Sequence, residues 1–343
     1  MRKLLNTIYI TNPNSYLSLD GENLVVLLEN NEKFRLPFVN IENIVCFAYM
    51  GASPALMGKC CDNNVGLVFL RPTGQYLARI EGKTTGNVNL RMAQYKLSED
   101  EDFCLQFAKN TVSSKIFNTR FSLERSIRDN QEKTNTDALQ EVSAYIKENM
   151  ERVYDFNDLD QLRGFEGIIA KRYFEVFSDM ILQQKRDFHI TSRSKRPPLD
   201  SINCMLSYLY IILSFEIVSA LETVGLDPYV GFFHKLRVGR QSLALDLVEE
   251  LRAYLVDRLV LTLINTKQVS KKDFVKKEGG GVLMTDEFRR KLLGIWQERK
   301  RGIINHHTID EKIEIGLIPY VQSQLLARHI RGDMEEYPPF ICR

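Results

Sequence analysis

The chain has little of what announces most functional classes. Its six cysteines, Cys46, Cys60, Cys61, Cys104, Cys204 and Cys342, include no pair with the C-x-x-C spacing of a zinc site or redox motif. They read as reduced thiols, and a cytoplasmic location is the expectation. Excess charge is scarce: 46 Lys and Arg against 44 Asp and Glu leave a net +2. A nucleic-acid surface must therefore come from local clustering of cations, not bulk charge. Long uninterrupted apolar runs are missing too. The stretch from Cys204 to Leu221 approaches a membrane span in length but holds Ser207, Ser214, Glu216 and Ser219, so it reads as a buried helix. The apolar start after Met1-Arg2-Lys3 is cut by Asn6 and by Asn12-Pro13-Asn14, too early for an export signal. Gly279-Gly280-Gly281 lacks the G-K-[ST] ending of a phosphate-cradling loop and reads as a flexible turn. His306-His307 offers no ligand pair at helical spacing and is expected on a surface loop. No internal repeat is visible.

What is present is a globular composition, 44% apolar and 26% charged over 343 residues, enough for two domains with cores of their own. Up to about Ile80 the text is one of short strands and turns. Asp20-Gly21 and Asn30-Asn31 punctuate Leu24–Leu28 and Lys33–Leu36, and a second pair, Gly66–Leu70 and Gln75–Ile80, flanks Pro72-Thr73-Gly74. Ser53 to Cys61 predicts a short helix, with Ser53 as N-cap and Pro54 at its first position. The polar segment Glu81 to Asn87, with two glycines, reads as a hinge. Beyond it, apolar residues recur at three- and four-residue spacing through Val88–Tyr95, Glu101–Asp129, Asn135–Val153, Leu159–Gln184, Ile202–Val224 and Ser242–Asn265. Phe288 and Trp296 fit core positions of a further helix. The expected class is α+β: a small β-rich domain over residues 1–85, then a larger all-α domain over 86–343.

Three segments carry chemistry. In the helix around Gln161 to Phe174, the residues Leu162, Phe165, Ile169, Tyr173, Val176 and Met180 form an apolar stripe, with the Glu166 carboxylate half-buried on its border. Gly164 and Gly167 each cost a helix about 1 kcal/mol against alanine, which calls for a close approach to the backbone by a nucleic-acid strand or a neighbouring helix. In the second segment Ser242 can cap a helix whose stripe is Leu243, Leu247, Leu251, Leu255 and Leu259, from which Asp246, Glu249 and Glu250 project together. Helix-dipole stabilisation alone accounts for acids there. His234 stands just ahead of them, beside a loop with Arg237, Gly239 and Arg240. Carboxylates with one imidazole suit Mg²⁺ or Mn²⁺, and the guanidinium groups suit a phosphodiester. The third segment, Arg193-Ser194-Lys195-Arg196-Pro197-Pro198, is an extended basic loop able to follow a phosphate backbone, with Arg196 foremost.

Together these segments resemble the CRISPR-associated adaptation integrases, the Cas-one proteins. The resemblance rests on the Glu166 helix, on Arg196-Pro197-Pro198-Leu199-Asp200 with Asn203, and on His234 to Glu249 with Gly239-Arg240 and Ser242-Leu243-Ala244-Leu245-Asp246-Leu247. Ser53-Pro54, Gly86-Asn87, Leu326-Ala327-Arg328 and Arg331-Gly332-Asp333 extend it over nearly the whole chain, most like the type I-C variety. It implies Glu166, His234 and Glu249 as ligands of one catalytic Mg²⁺ or Mn²⁺, with Asp246 supporting the site and Tyr210 near it. Arg193, Arg196, Tyr210, Arg237 and Arg240 are the implied DNA contacts. It further implies a homodimer formed with help from the β-rich domain, bridging by a dimer of a smaller Cas protein, Cas-two, and a bound double-stranded DNA. The activity implied is spacer integration by 3′-hydroxyl attack on a phosphodiester at the repeat boundary. A pure nuclease using water, and a non-catalytic DNA-binding scaffold, are the alternatives.

Overall fold

The computed structural model describes residues 7–29, 31–82, 88–129 and 136–342. Asn30 of the second predicted turn, Asn135 at the predicted start of the fourth helix, and Lys83 to Asn87 of the predicted hinge lie outside them. The chain divides into two compact units. One comprises Met1–Gly86, Asp286–His306 and Asp310–Ile318; the other comprises Asn87–Thr285, His307–Ile309 and Pro319–Arg343.

In the first unit, β1 (Thr7–Ile10), β5 (Asn43–Cys46), β6 (Gly66–Leu70) and β7 (Tyr76–Ile80) form a sheet in the order β1-β5-β6-β7. β5 runs parallel to both β1 and β6, while β7 closes the sheet antiparallel. A separate antiparallel sheet holds β2 (Ser15–Asp20), β3 (Asn23–Leu28) and β4 (Asn31–Pro37). Leu17 of β2 with Leu24 and Val26 of β3 turn one face of this sheet inward, into a core shared with Ile44, Leu56 and Leu67. α1 (Pro54–Asp62) begins as its sequence dictates: Ser53 Oγ accepts from Leu56 N at 3.2 Å, and Pro54 spends no donor in the first turn.

This unit also takes in α9 (Asp286–Lys300) and the antiparallel pair β10 (Ile303–His306) and β11 (Glu311–Glu314), all of which the sequence reading put in the helical domain. The physical cause is the long-range pairing of α9 with β1: Gln297 Nε2 donates to Thr7 O at 3.2 Å, and Lys300 Nζ reaches Thr7 Oγ1 at 3.4 Å. Phe288 and Trp296 are buried as expected. His306 is fully buried in β10, not on a loop, because its strand pairs with β11.

The second unit is built of α2 (Val88–Ser98), α3 (Glu101–Asp129), α4 (Thr136–Asn149), α5 (Leu159–Glu175) and α6 (Ser201–Val224). It continues through α7 (Ser242–Arg252), α8 (Arg258–Asn265) and most of α10 (Ile318–Ile330). Asp158 and Asp200 cap α5 and α6, accepting from Gln161 N at 2.8 Å and Asn203 N at 2.7 Å. α6 stops at Gly225, whose φ of 89° suits glycine. α6 is long and apolar enough to cross a membrane, but 61% of its most apolar window is buried inside the protein. α5 ends earlier than its periodicity predicts, at Glu175, after which a 3₁₀ turn over Phe177–Met180 buries Phe177 against Tyr173 and Phe174. α7 and α8 are joined by a π-helical turn, Ala253–Asp257. Ser242 is not the cap of α7: it is the first helical residue, and its Oγ donates to Lys235 O at 3.3 Å. A small hairpin, β8 (Phe274–Lys276) and β9 (Val282–Met284), departs from the all-α expectation. The Gly279-Gly280-Gly281 turn closes it, and a Cβ at Gly281 would stand 3.0 Å from Pro197 Cβ, so this turn packs against the prolyl loop.

Candidate active site

Three helices of the second unit bring charge together below a cleft. Glu166 of α5 and Glu249 of α7 both pair with the ammonium of Lys115, which α3 buries to 5% exposure. Burial opposes the charge on Glu249, but Arg252, Lys115 and His234 overcome it and hold its carboxyl well below the usual carboxylate range. Arg252 Nη1 contacts both Glu249 oxygens, at 3.1 and 2.9 Å. Two carboxylates distant in the chain thus face one point of positive charge.

His234 is held from the opposite side. The buried Asp246 carboxylate accepts from the backbone N–H of Phe232 at 2.8 Å, Phe233 at 3.1 Å and His234 at 2.9 Å, and its Oδ1 lies 2.7 Å from His234 Nδ1. A carboxylate so placed fixes the imidazole's orientation and leaves Nε2 as its free ligating or proton-carrying atom. Gly231 makes the close approach possible, since a Cβ there would stand 2.6 Å from Asp246 Oδ2. Glu250, by contrast, does not project with Asp246 and Glu249. One residue along a helix turns a side chain by about 100°, and Glu250 is fully buried against Tyr337, Gln322 and Phe340.

Glu166 and His234 line one cleft of ≈ 390 Å³ with Asp160, Arg163, Phe233, Lys235, Arg237 and Arg240. Asp160 is paired with Arg163 at 2.5 Å and with Lys235 at 2.9 Å. Burial, then the nearby Arg237, push the Arg240 guanidinium below its ordinary value. A wall on which cations repel one another is a place where an anion is electrostatically favoured.

Two residues expected at the DNA are engaged inside the protein. The Arg193 guanidinium is spent inside the protein, on Ser194 O at 2.6 Å, Asn203 Oδ1 at 2.7 Å and Ser207 Oγ at 3.0 Å. Tyr210 is likewise engaged: its hydroxyl donates to Asp257, and its ring lies between Arg193 and Arg252, 5.3 and 5.2 Å from the two guanidinium carbons. The Tyr210 ring thus braces Arg252, and through it Glu249. Arg196 and Arg237 are exposed and Arg240 is half-buried. Sequence reasoning missed Lys115 and Arg252. Arg252 was readable at i+3 from Glu249. Lys115 belongs to a face of α3 that buries Thr111, Lys115, Asn118 and Ser122, polar residues at helical spacing where a core stripe would be apolar.

Gly164 and Gly167 both face open space, with no atom of the described residues within 4 Å of an added Cβ, so among those residues no neighbouring helix explains them. Alanine at each should therefore raise stability by about 1 kcal/mol through helix propensity alone. Chemical denaturation checks this; a loss of stability would mean that the fold itself uses the space.

The family described as CRISPR associated protein Cas1 matches residues 8–298. The chain belongs to that family. A relative from Chlorobaculum tepidum, named CRISPR-associated endonuclease Cas1 1, is 43% identical over 343 residues and matches the whole of both chains. Among solved structures, a casposase bound to integration product has the same fold, with a TM-score of 0.82 at 22% identity, covering 96% of this chain and 92% of that one. A Cas6-RT-Cas1–Cas2 complex gives a TM-score of 0.82 at 21% identity, covering 98% of this chain and 36% of that one. The β-rich and helical units are those of the Cas1 fold.

Proposed function

We propose that this protein is a CRISPR adaptation integrase and DNA endonuclease of the type I-C kind, which joins the 3′-hydroxyl of a short duplex to a phosphodiester at the repeat boundary. One observation carries the reading: Glu166 and Glu249, from separate helices, converge on a single cation at the edge of a cleft that also holds His234 and a surplus of guanidinium groups. The Chlorobaculum tepidum relative's name, and the integration product bound by the casposase of like fold, support it.

Among the described residues, no three His, Cys, Asp or Glu side chains stand close enough together to hold a metal ion. The chemistry of the donor set, two carboxylates and one imidazole, is nevertheless that of a divalent-metal site. The Lys115 ammonium marks where two carboxylates already favour positive charge, and Asp246 presents the His234 imidazole on the same cleft. Glu166, Glu249 and His234 would hold Mg²⁺ or Mn²⁺. When bound, such an ion lowers the pKa of an attacking hydroxyl and neutralises charge on the phosphorane-like transition state. Arg237 and Arg240 hold the phosphate, and the bare Gly164–Gly167 face of α5 lets a strand lie against Glu166. In the joining step the 3′-oxygen forms a bond to phosphorus as its proton leaves, and the bond to the departing 3′-oxygen breaks, which takes up a proton.

On this reading the DNA is double-stranded, the first unit helps form a homodimer, Cas2 bridges two dimers, and the complex works in the cytoplasm. Joining of a labelled duplex to a plasmid that carries the repeat tests the proposal; nicking without joining would make the protein a nuclease only. The pairing of both carboxylates with Lys115, and of Glu249 also with Arg252, balances their charge internally and favours a second reading as a non-catalytic DNA scaffold. That reading requires an active-site substitution to leave every activity intact. Because the contacts proposed are mainly to phosphates, DNA affinity should fall steeply with salt, by about tenfold or more between 50 and 200 mM for several contacts. Fluorescence anisotropy at a series of salt concentrations reads this, and a flat response would count against the cleft.

A further inference from the structure

The chain beyond α10 turns back onto α3 and α7 and is held there by an unusual density of buried hydrogen bonds. Tyr337, Phe340 and Cys342 are each no more than 1% exposed. Ser114 Oγ donates to Phe340 O at 2.5 Å, Asn118 Nδ2 donates to the same oxygen at 2.8 Å, and Cys342 N donates to Asn118 Oδ1 at 2.9 Å. On α7, Glu250 accepts from Tyr337 Oη at 2.5 Å, from Phe340 N and from Gln322 Nε2 at 3.2 Å. Asn118 Nδ2 also donates to Glu250 O at 2.8 Å, closing the circuit between the two helices.

The positions matter more than the number of bonds. Ser114 and Asn118 flank Lys115 on α3, and Glu250 is the next residue after Glu249 on α7. The strap therefore ties the two helices at the places from which the central ion pair projects. An apolar contact would have buried as much surface without fixing rotation; a carboxylate that takes three donors fixes both rotation and register of its helix. We infer that residues 337–342 are a positioning strap for the active site: through Glu250, Ser114 and Asn118 they set the approach of Glu249 to Lys115 and Glu166. The inference rests on the metal-site reading above only for its functional consequence.

The test uses the full chain with Tyr337→Phe, which keeps the ring and deletes one hydroxyl, beside a chain ending at Glu336. Mn²⁺ affinity is read by electron paramagnetic resonance, the accessibility of Lys115 by its acetylation rate under mass spectrometry without metal, and folding by thermal melting. Tyr337→Phe should weaken Mn²⁺ binding about tenfold, in the range found for groups that orient metal ligands, and speed Lys115 acetylation severalfold, while still melting cooperatively. The truncated chain should show both effects more strongly; if it does not fold, Tyr337→Phe decides alone. A Tyr337→Phe protein with a lowered melting point but parental Mn²⁺ affinity and Lys115 reactivity would overturn the strap. If the parent itself shows no Mn²⁺ binding that Glu166→Gln removes, the metal reading falls, and the acetylation rate alone judges the strap.

Discussion

Lys115→Met should destabilise the protein by about 3 kcal/mol in the absence of metal, and Mn²⁺ should restore much of the loss. Removing one partner of a buried ion pair leaves its counterpart charged and desolvated, at a typical cost of about 3–5 kcal/mol. Here two carboxylates are left facing each other. The lower end of that range applies because Glu249 keeps Arg252 at 2.9 Å and the Glu166 side chain is 20% exposed. For a unit of this size the melting temperature should fall by roughly 6–12 °C. The sign with pH follows from the carboxylates. Glu249 is held below its ordinary value, so its contribution is present above the unfolded-state carboxylate range and is lost as pH falls through the folded value. Acid therefore weakens the parent, and it also relieves the repulsion in the variant, so the gap between the two narrows below the ordinary carboxylate range. A divalent ion can take the ammonium's place between Glu166 and Glu249, which is why metal should stabilise the variant more than the parent. A variant whose melting point ignores Mn²⁺ would show that the two carboxylates form a structural pair and nothing else.

How much of this was legible in the sequence depended on whether local or distant residues set each feature. The bounds of α3 and the Ser53-Pro54 start of α1 follow from periodicity and capping, which act within a few residues. The π-helical turn after α7 and the early end of α5 do not, because side chains from elsewhere decide them. α9 reads as a helix, yet its place beside β1 depends on a contact between Gln297 and Thr7 that no local pattern encodes. The site divides the same way. Glu166 was legible as an acid on the border of an apolar stripe and Glu249 as an acid on a polar face of its helix, but the two with His234 became one ligand set only through the family resemblance. Arg193 and Tyr210 were assigned to DNA by the family resemblance, which carries over a position but not the partners, such as Asn203 and Arg252, that the side chain meets once the chain is folded. Lys115 went unread because it announces itself only once α3 is laid against α5 and α7.

Glu166→Gln should abolish strand joining while leaving DNA binding as tight as in the parent, or tighter. Glutamine keeps the size of the side chain and one acceptor oxygen, so α5 and its packing through Phe165 and Ile169 are untouched. It removes the negative charge that, with Glu249, makes the place between α5 and α7 attractive to a cation. Losing a carboxylate that would hold the cation against the developing negative charge of the transition state costs roughly 10²–10³ in rate, as for other preorganised electrostatic contacts. Binding moves the other way. Glu166 lines the same cleft as Arg163, Lys235, Arg237 and Arg240, and it is one of two acids there. Neutralising it makes the cleft more positive, so phosphate affinity holds or rises, and the salt slope, which counts phosphates, stays the same. The same substitution frees half of the Lys115 ammonium's pairing, and the released lysine adds to that positive field. Quantitative joining and anisotropy on one protein preparation separate the two effects. Joining at the parental rate would leave a DNA-binding scaffold as the reading, whereas joint loss of joining and binding would mean that Glu166 shapes the cleft and not the reaction.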